Sequence, residues 1–281
     1  MSHSTRALIR SLDHAAFPTA ALLAAKQERA ISVVLPARDC ADTVGPVVER
    51  IGELDGLVDQ ILVVDGGSTD GTREVAAAAG AQVAPEAELM PGEGPVRGKG
   101  DAMWRALTAV TGDVVAFVDA DTRDFDPRFV NGLVGPLLTD PGLRFVKATY
   151  TRPFRAGDHE LPGGGGRVSQ LMARPLLAAF YPELAAFTQP LAGEVAATRE
   201  LLESIPFATG YAVEMAMLLD VYEAAGAGAM AQCDVGERRN HHQPLDALRP
   251  MAETVLAVVC RRQGLDTAGP EIVTRPPHAG R

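Results

Sequence analysis

The sequence has few of the features that mark secreted, membrane-bound or metal-stapled proteins. It contains 3 cysteines in 281 residues, Cys40, Cys233 and Cys260, with no Cys-x-x-Cys spacing. So sparse and odd a set argues against a disulfide framework or a zinc site and predicts reduced thiols in a cytoplasmic protein. No apolar run approaches the ~20 residues of a membrane-spanning helix. The first 30 residues lack the long apolar core of a signal peptide, so we expect a loosely held leader there.

Positive charge is also scarce. The chain has 26 Lys and Arg against 36 Asp and Glu, which gives a net charge of −10. Nucleic-acid-binding proteins generally need a basic surface, so the balance argues against that class. A small anionic substrate stays open, because a local pocket of Arg and Lys can oppose the charge of the whole protein.

The first half of the chain alternates apolar strands with amphipathic segments. Strands are predicted over residues 31–35, 61–64, 81–84 and 114–119, and helices over 43–54, 72–79 and 101–110. Successive strand–helix–strand units predict an α/β fold with a mainly parallel sheet. Ligands bind such sheets at the carboxyl ends of the strands, and the polar clusters of this sequence follow those ends.

The second half is less regular. It predicts a strand over residues 145–151 and helices over 168–180, 198–204, 212–225 and 245–260, with a further helix in the leader over 19–29. The glycine run 163–166 precedes Arg167; it can offer backbone N–H groups to an anion, or it can be a flexible surface loop. The tail from Gly264 is rich in Pro and Gly, so we expect it to pack poorly.

Two acids end the apolar run 114–121. On a strand Asp119 and Asp121 point to the same side and Ala120 to the other. Carboxylates this close repel each other unless a cation, an Arg or Lys, or solvent compensates their charge. At the carboxyl edge of an α/β sheet we expect a divalent metal that carries a phosphorylated ligand. The alternative is a solvated loop start or a helix cap.

Several motifs resemble known glycosyltransferases. ISVVLPA (31–37), VDGGSTDGT (64–72) and DAD (119–121) together resemble the nucleotide-sugar domain of the GT-A enzymes. GKGDAMWR (98–105), GGGRVS (164–169), ARPLL (173–177), QPLAGE (189–194) and PFATGYAVE (206–214) resemble the actinobacterial glucosyl-3-phosphoglycerate synthases, in the same order. The resemblance implies a GT-A α/β fold, with a mainly parallel sheet flanked by helices and a smaller C-terminal acceptor-binding part.

The resemblance also implies a function. It is that of a retaining hexosyltransferase that moves glucose from UDP-glucose to 3-phosphoglycerate with Mg²⁺ or Mn²⁺, as a homodimer. Two alternatives stay open: a relative that uses another donor (GDP-mannose or UDP-N-acetylglucosamine) or another small anionic acceptor, and a nucleotide-sugar-binding protein without turnover. A nucleotidylyltransferase is disfavoured, because residues 36–39 lack the Gly-rich basic motif that usually follows its first strand.

Matching the motifs residue by residue implies a domain division and a set of site residues. The division is a leader (1–30), a nucleotide-sugar-binding half (31–150), an acceptor-binding half (151–262) and a flexible tail (263–281). The implied donor-binding residues are Pro36, Ala37, Arg38, Asp39, Asp65, Gly66, Lys99, Asp119, Ala120 and Asp121. The implied acceptor-binding residues are Gly166, Arg167, Ser169 and His242. The implied metal ligands are Asp121 and His241, and the implied catalytic residues are Asp121, Glu214, Arg238 and Leu191.

One stretch departs from the family pattern. The family has Arg-x-His-x-Asn where this chain has RRNHH (238–242), so an ungapped match puts the metal-binding histidine on Asn240 and the acceptor-side asparagine on His242. A shift of one residue restores a histidine at His241, and neutral imidazole suits Mn²⁺. The alternative is a pair of surface histidines. The departure bears on the acceptor more than on the donor.

Other site residues have structural alternatives as well. Lys99 can be a solvated residue at a helix start, Arg167 can pair with a nearby acid, and Glu214 can form an ion pair inside its apolar helix. Trp104 is predicted to lie in the core. For the reaction we expect attack on the same face of the sugar from which the diphosphate leaves, with the acceptor held by Arg167 and Ser169; a covalent sugar adduct on Glu214 would contradict it.

Overall fold

One large sheet organises the molecule. The computed structural model describes residues 9–156, 159–161, 166–238 and 244–279. In chain order the strands are β1 (Arg10–Asp13), β2 (Ile31–Ala37), β3 (Gln60–Asp65), β4 (Gln82–Pro85), β5 (Val114–Phe117), β6 (Phe145–Thr151), β7 (Phe154–Ala156), β8 (His159–Leu161), β9 (Val195–Thr198), β10 (Phe207–Ala208), β11 (Met230–Glu237) and β12 (Thr274–Arg275).

The sheet is mainly parallel, as the strand–helix alternation predicted. Its order is β1-β11-β6-β9-β5-β2-β3-β4. Strand β9 is antiparallel to both β5 and β6, and the remaining neighbours pair in parallel. The carboxyl ends of β2, β3, β4, β5, β6 and β11 therefore share one edge, where the loops that follow them converge.

The helices cover both faces of this sheet. They are α1 (Thr19–Lys26), α2 (Ala41–Gly52), α3 (Thr72–Ala78), α4 (Lys99–Ala106), α5 (Arg128–Thr139), α6 (Arg174–Phe180), α7 (Arg199–Ser204), α8 (Val213–Ala225) and α9 (Leu245–Arg262). A π-helical turn, Ser169–Ala173, precedes α6, and Pro175 lies in the first turn of α6. The helical pattern over 168–180 is therefore divided where the proline predicted a restart. Within the described residues, no helix is long and apolar enough to cross a membrane.

Two apolar layers explain the long hydrophobic runs of the strands. Val33 and Leu35 pack on one face with residues of α2 and α5, whereas Val34 packs on the other with residues of α4 and α8. A strand that is buried on both faces needs apolar residues at successive positions, which is why β2 does not alternate. Trp104 is completely buried in the second layer, as predicted.

Several elements were missed at the sequence level. Strand β1 has a polar sequence and lies at the sheet edge, although residues 1–30 were expected to be loosely held. Helix α5 contains two glycines and Pro136, which disfavour a helix, yet most of its residues are buried. Strand β9 (VAAT) is rich in alanine, a weak strand former. Tertiary burial overrides local propensity in α5 and β9.

The C-terminal tail also differs from the expected poor packing. Strand β12 pairs with β10, and Arg275 is largely buried against Asp101. The indole Nε1–H of Trp104 donates to the carbonyl of Pro276 at 2.8 Å. These buried polar contacts tie residues 274–276 to α4, and they depend on side chains that a Pro- and Gly-rich composition does not reveal.

Candidate active site

A cleft opens where the parallel strands end. Its volume is about 570 Å³. Most of the residues predicted for donor binding and catalysis lie on its wall, namely Pro36, Ala37, Arg38, Gly66, Lys99, Asp119, Ala120, Asp121, Leu191, Glu214 and Arg238. They come from the ends of β2, β3, β5 and β11 and from α4, α8 and the loop before β9, so the topology itself brings them together.

Asp119 is neutralised by two cations. Lys99 Nζ lies 2.5 Å from Asp119 Oδ1, and a guanidinium nitrogen of Arg238 donates to Oδ2 at 2.8 Å. Burial alone would raise the pKa of Asp119, but these cations hold it below its usual value. Gly193 makes the contact possible, since a Cβ there would lie 2.3 Å from Lys99 Nζ and 2.6 Å from Asp119 Oδ1. Asp119 is thus an ionised anchor for Lys99 and Arg238.

Arg238 is fixed from behind by two buried groups. It forms an ion pair with Glu194 at 2.6 Å and donates to the hydroxyl of Tyr150 at 2.9 Å. Tyr150 in turn donates to the Glu194 carboxylate at 3.0 Å. Burial would lower the pKa of Arg238, but Glu194, Tyr150 and Asp119 raise it by more. The net pKa is well above its usual value, so this residue carries a permanent positive charge in the cleft.

Asp121 has different surroundings from Asp119. Its side chain is 70% exposed, and among the described residues Arg238 forms a loose ion pair with it at 3.8 Å. Of the compensating groups considered for the acid pair, Lys99 and Arg238 neutralise Asp119, whereas Asp121 keeps a largely exposed carboxylate. Such a carboxylate at the mouth of the cleft fits a divalent cation as one oxygen ligand.

The remaining predicted metal ligands cannot be placed. His241, His242 and Asn240 lie outside the described residues. Within the described ranges, no group of three or more His, Cys, Asp or Glu could hold a metal ion.

Glu214 and the loop before β9 form the floor of the cleft. Glu214 lies 3.1 Å from Lys99 Nζ, so the structural ion pair considered as an alternative is present. Lys147 is buried below and donates to the carbonyl of Ala192 at 2.7 Å. Burial lowers the pKa of Lys147 to about 8. The contact fixes the backbone next to Leu191 and Gly193.

Two predicted donor residues, Asp65 and Asp39, hold the loops after β2 and β3. The Asp65 carboxylate accepts from the N–H groups of Gly67 and Ser68. Asp39, at φ +47°, accepts from the N–H of Thr69, and its own N–H donates to Ser68 Oγ. Within the described part of the chain, neither Asp39 nor Asp65 lies on the cleft wall. Their contacts join the loops after β2 and β3.

Three predicted acceptor residues, Gly166, Arg167 and Ser169, are not on the cleft wall, and Gly166 lies next to a residue that is. A Cβ at Gly166 would come within 3.3 Å of the Gln189 amide and 3.8 Å of Arg152 Cδ, and Arg152 does line the cleft. Arg167 is partly exposed, and Ser169 is buried. His242, the fourth predicted acceptor residue, is outside the described residues.

Sequence reasoning missed four cleft groups: Glu86, Tyr150, Arg152 and the supporting Glu194. Arg152 follows β6 directly and Glu86 follows β4 directly, so the rule that identified Asp119 would have found both. Glu194 and Tyr150 carry no such signal, because their role comes from the buried contact with Arg238.

Comparison with known proteins agrees with this geometry. The model of glycosyl transferase family 2 matches residues 32–157. The glucosyl-3-phosphoglycerate synthase of Mycolicibacterium paratuberculosis is 49% identical over 265 residues, which cover 92% of this chain and 80% of the relative.

Two crystal structures are similar over nearly the whole chain. A mannosyl-3-phosphoglycerate synthase from Rubrobacter xylanophilus superposes with a TM-score of 0.87 and 47% identity, covering 95% of this chain and 94% of its own. The second is a glucosyl-3-phosphoglycerate synthase from Mycobacterium tuberculosis in complex with Mn²⁺, UDP-glucose and phosphoglyceric acid. Its TM-score is 0.87 and its identity 43%, and the match covers 96% of this chain and 98% of its own.

Proposed function

This chain belongs to the glucosyl-3-phosphoglycerate synthase family of glycosyltransferases, and we propose that it transfers glucose from UDP-glucose to 3-phosphoglycerate. The observation that carries the proposal is the unequal acid pair, in which Asp119 anchors two cations and Asp121 remains available in the same cleft. A metal-assisted transfer from a nucleotide sugar needs both features: fixed positive charge for a diphosphate and an oxygen ligand for a cation.

On the donor side, Lys99 and Arg238 would face the diphosphate of UDP-glucose. Both are positioned before the donor arrives, so they stabilise the negative charge that develops on the departing UDP without reorganisation. A divalent cation bound by Asp121, with His241 or His242 as a further ligand, would draw electron density from the breaking bond. Pro36, Ala37, Arg38 and Gly66 would surround the nucleoside.

On the acceptor side, Arg152 and the predicted residues Gly166, Arg167 and Ser169 would hold the phosphate and carboxylate of 3-phosphoglycerate. We propose attack on the same face, hence a retaining transfer. The acceptor hydroxyl bonds to the anomeric carbon as the bond to UDP breaks, and its proton passes to the departing diphosphate. Glu214 is already paired with Lys99, which argues against its use as a covalent nucleophile. Leu191 would present its backbone to the sugar.

A second candidate is transfer of mannose. The specific observation in its favour is the 47% identity and the TM-score of 0.87 to a mannosyl-3-phosphoglycerate synthase, which are close to the 49% identity to the glucosyl enzyme of M. paratuberculosis. Both candidates share the acceptor and the cleft chemistry, so they differ only in the donor, in its sugar hydroxyls and its base.

The test is product analysis with matched donors. Purified protein is incubated with 3-phosphoglycerate and either UDP-glucose or GDP-mannose, with Mn²⁺ or Mg²⁺ or with EDTA, and products are resolved by NMR. We expect an α-linked glucosyl product with UDP-glucose that requires the metal. A faster reaction with GDP-mannose would select the second candidate, and a β-linked product would contradict retention.

We also propose a homodimer in the cytoplasm. Leu171 and Leu245 expose 75% and 68% of their surface, and the elements that carry them contact each other, which supports a subunit interface on that side. All three cysteines are free and buried, which supports a reducing compartment. Light scattering coupled to gel filtration tests the dimer, and cell fractionation tests the location.

A further inference from the structure

A buried acid, Glu86, lies at the end of the cleft opposite Lys99, Asp119 and Arg238. Glu86 is 3% exposed and lines the cleft. Its Oε1 is buried and has no hydrogen-bond partner within the described residues. An unsatisfied buried carboxyl oxygen is costly, so a group that supplies the missing partner is expected to bind there.

The sheet register explains the position of Glu86. Ala37 of β2, Asp65 of β3 and Pro85 of β4 are register partners. The next residues, Arg38, Gly66 and Glu86, therefore form one row beyond the ends of three adjacent strands. A Cβ on Gly66 would lie 3.4 Å from Glu86 Oε2, so the glycine leaves the face of the carboxyl open.

Glu86 is the member of this row farthest from the acid pair, three strands away. Strand β4 is separated from β5 by β2 and β3, so the two ends of the cleft are roughly 14 Å apart at normal strand spacing. A nucleoside diphosphate carries its base at the end opposite its diphosphate. When the diphosphate lies beside Lys99 and Arg238, the base falls at the row that contains Glu86.

We propose that Glu86 reads the base of the sugar nucleotide and that its protonated carboxyl selects uracil. This inference rests on the proposed function. A neutral carboxyl has one O–H donor and one C=O acceptor, which match the C4 carbonyl and the N3–H of uracil. An ionised carboxylate has acceptors only and would instead match the N1–H and amino donors of guanine. The protonation state of one side chain would thus decide between two bases.

The surroundings of Glu86 support the protonated form. Burial raises the pKa of Glu86 to about 7, and the nearby Asp101 raises it as well. Arg105, Arg275 and Arg38, which face it from α4, β12 and the loop after β2, lower it by less. A carboxyl in this state is about 90% protonated at pH 6 and about 10% protonated at pH 8.

The test measures UDP binding by calorimetry in the presence of Mg²⁺, for native protein and for Glu86→Gln. The glutamine amide keeps one donor and one acceptor and does not titrate. We expect the ratio of the two dissociation constants, native over variant, to rise about tenfold between pH 6 and pH 8. Using the ratio cancels the titration of the UDP phosphate. We also expect native protein to lose its preference for UDP over GDP at pH 8, whereas Glu86→Gln keeps it.

The matched control is Glu88→Gln, an exposed residue in the same short helical turn, Glu86–Glu88. This control should follow native protein at every pH. A ratio that does not change with pH for Glu86→Gln, or the same change for Glu88→Gln, would overturn the inference. Failure of the proposed function gives a different result: native protein would then form no glycosylated phosphoglycerate, whatever the pH profile of UDP binding.

Discussion

Two neighbouring carboxylates in the cleft have different tasks because their surroundings differ. Asp119 contacts Lys99 and Arg238 closely, and Arg238 is itself held by the buried Glu194. Asp121, two residues later, is largely exposed. The first acid organises the fixed positive charge of the site, and the second remains free for a cation. Truncation of either should reduce activity, but only Asp121 should change metal affinity directly.

At the same scale, Arg152 predicts an acceptor-side effect. Arg152→Ala removes a cation from the cleft wall beside Gly166. A charge-assisted hydrogen bond contributes about 1.5–3 kcal/mol, so kcat/KM for 3-phosphoglycerate should fall roughly 10- to 150-fold. The KM for UDP-glucose should stay near the native value. Steady-state kinetics with each substrate varied in turn makes the measurement.

Arg123→Ala is the matched control for Arg152, since Arg123 forms an exposed pair with Asp42. It should leave both KM values unchanged. Equal increases in the KM values of donor and acceptor for Arg152→Ala would contradict an acceptor-specific role.

At the scale of elements, strand ends were the most predictable feature. The apolar runs that became β2, β3 and β5 required a parallel sheet, and a parallel sheet gathers its carboxyl ends, so Lys99 and the acid pair could be placed together in advance. Arg238 was implied only by family resemblance, and its support by Glu194 and Tyr150 depends on β6 and the residues before β9. Strand β9 is an alanine-rich segment whose place between β5 and β6 comes from burial, and local sequence does not encode it.

The pair of helices α8 and α9 predicts a pH-dependent stability. Asp220 on α8 is buried against Arg262 on α9. Burial raises the pKa of Asp220 to about 6, although Arg262 partly opposes the rise. The folded-state pKa of Asp220 exceeds the unfolded value of about 3.9. The contribution of Asp220 to the free energy of unfolding is therefore complete below pH ~4, and it is lost as the pH rises through about 6.

Asp220→Asn cannot titrate and should therefore lack this dependence. Relative to native protein, its free energy of unfolding should increase by about 2 kcal/mol between pH 4.5 and pH 7.5. Urea denaturation at both pH values measures the change. Glu223→Gln removes the exposed partner of Arg262, and it should alter the free energy of unfolding by less than about 0.5 kcal/mol at either pH. A pH-independent difference between Asp220→Asn and native protein would contradict the prediction.

The C-terminal strand predicts a second effect at this scale. Arg275 donates to both carboxylate oxygens of Asp101, at 2.8 and 2.9 Å, and to the carbonyls of Glu93 and Pro95. Arg275→Ala would leave Asp101 buried with only part of its partners, so we expect a loss of about 3 kcal/mol in the free energy of unfolding. Donor affinity should also fall, because Asp101 and Lys99 share the first turn of α4.

Arg249→Ala serves as the control for Arg275, since it removes an exposed pair with Glu253 and should cost less than about 0.5 kcal/mol. Thermal and urea unfolding compare the two variants. The account of the docked tail would fail if Arg275→Ala were no less stable than Arg249→Ala.

For the whole molecule, a net charge of −10 coexists with a cleft built to receive anions. Arg38, Lys99, Arg152 and Arg238 all line it, so the local field opposes the global one. This arrangement fits two anionic substrates whose own charges must be offset before the sugar can move. We propose that the binding of a cation depends on Asp121, whose carboxylate is largely exposed in this cleft.

The most direct test of this account is the initial rate of glucosyl-3-phosphoglycerate formation by chelated protein as Mn²⁺ is added back, for native protein and for Asp121→Ala. We predict no product before addition, full recovery of the native rate, and a rate at least about 100-fold lower for the variant at saturating metal. Undiminished turnover by Asp121→Ala in the presence of chelator would contradict the account.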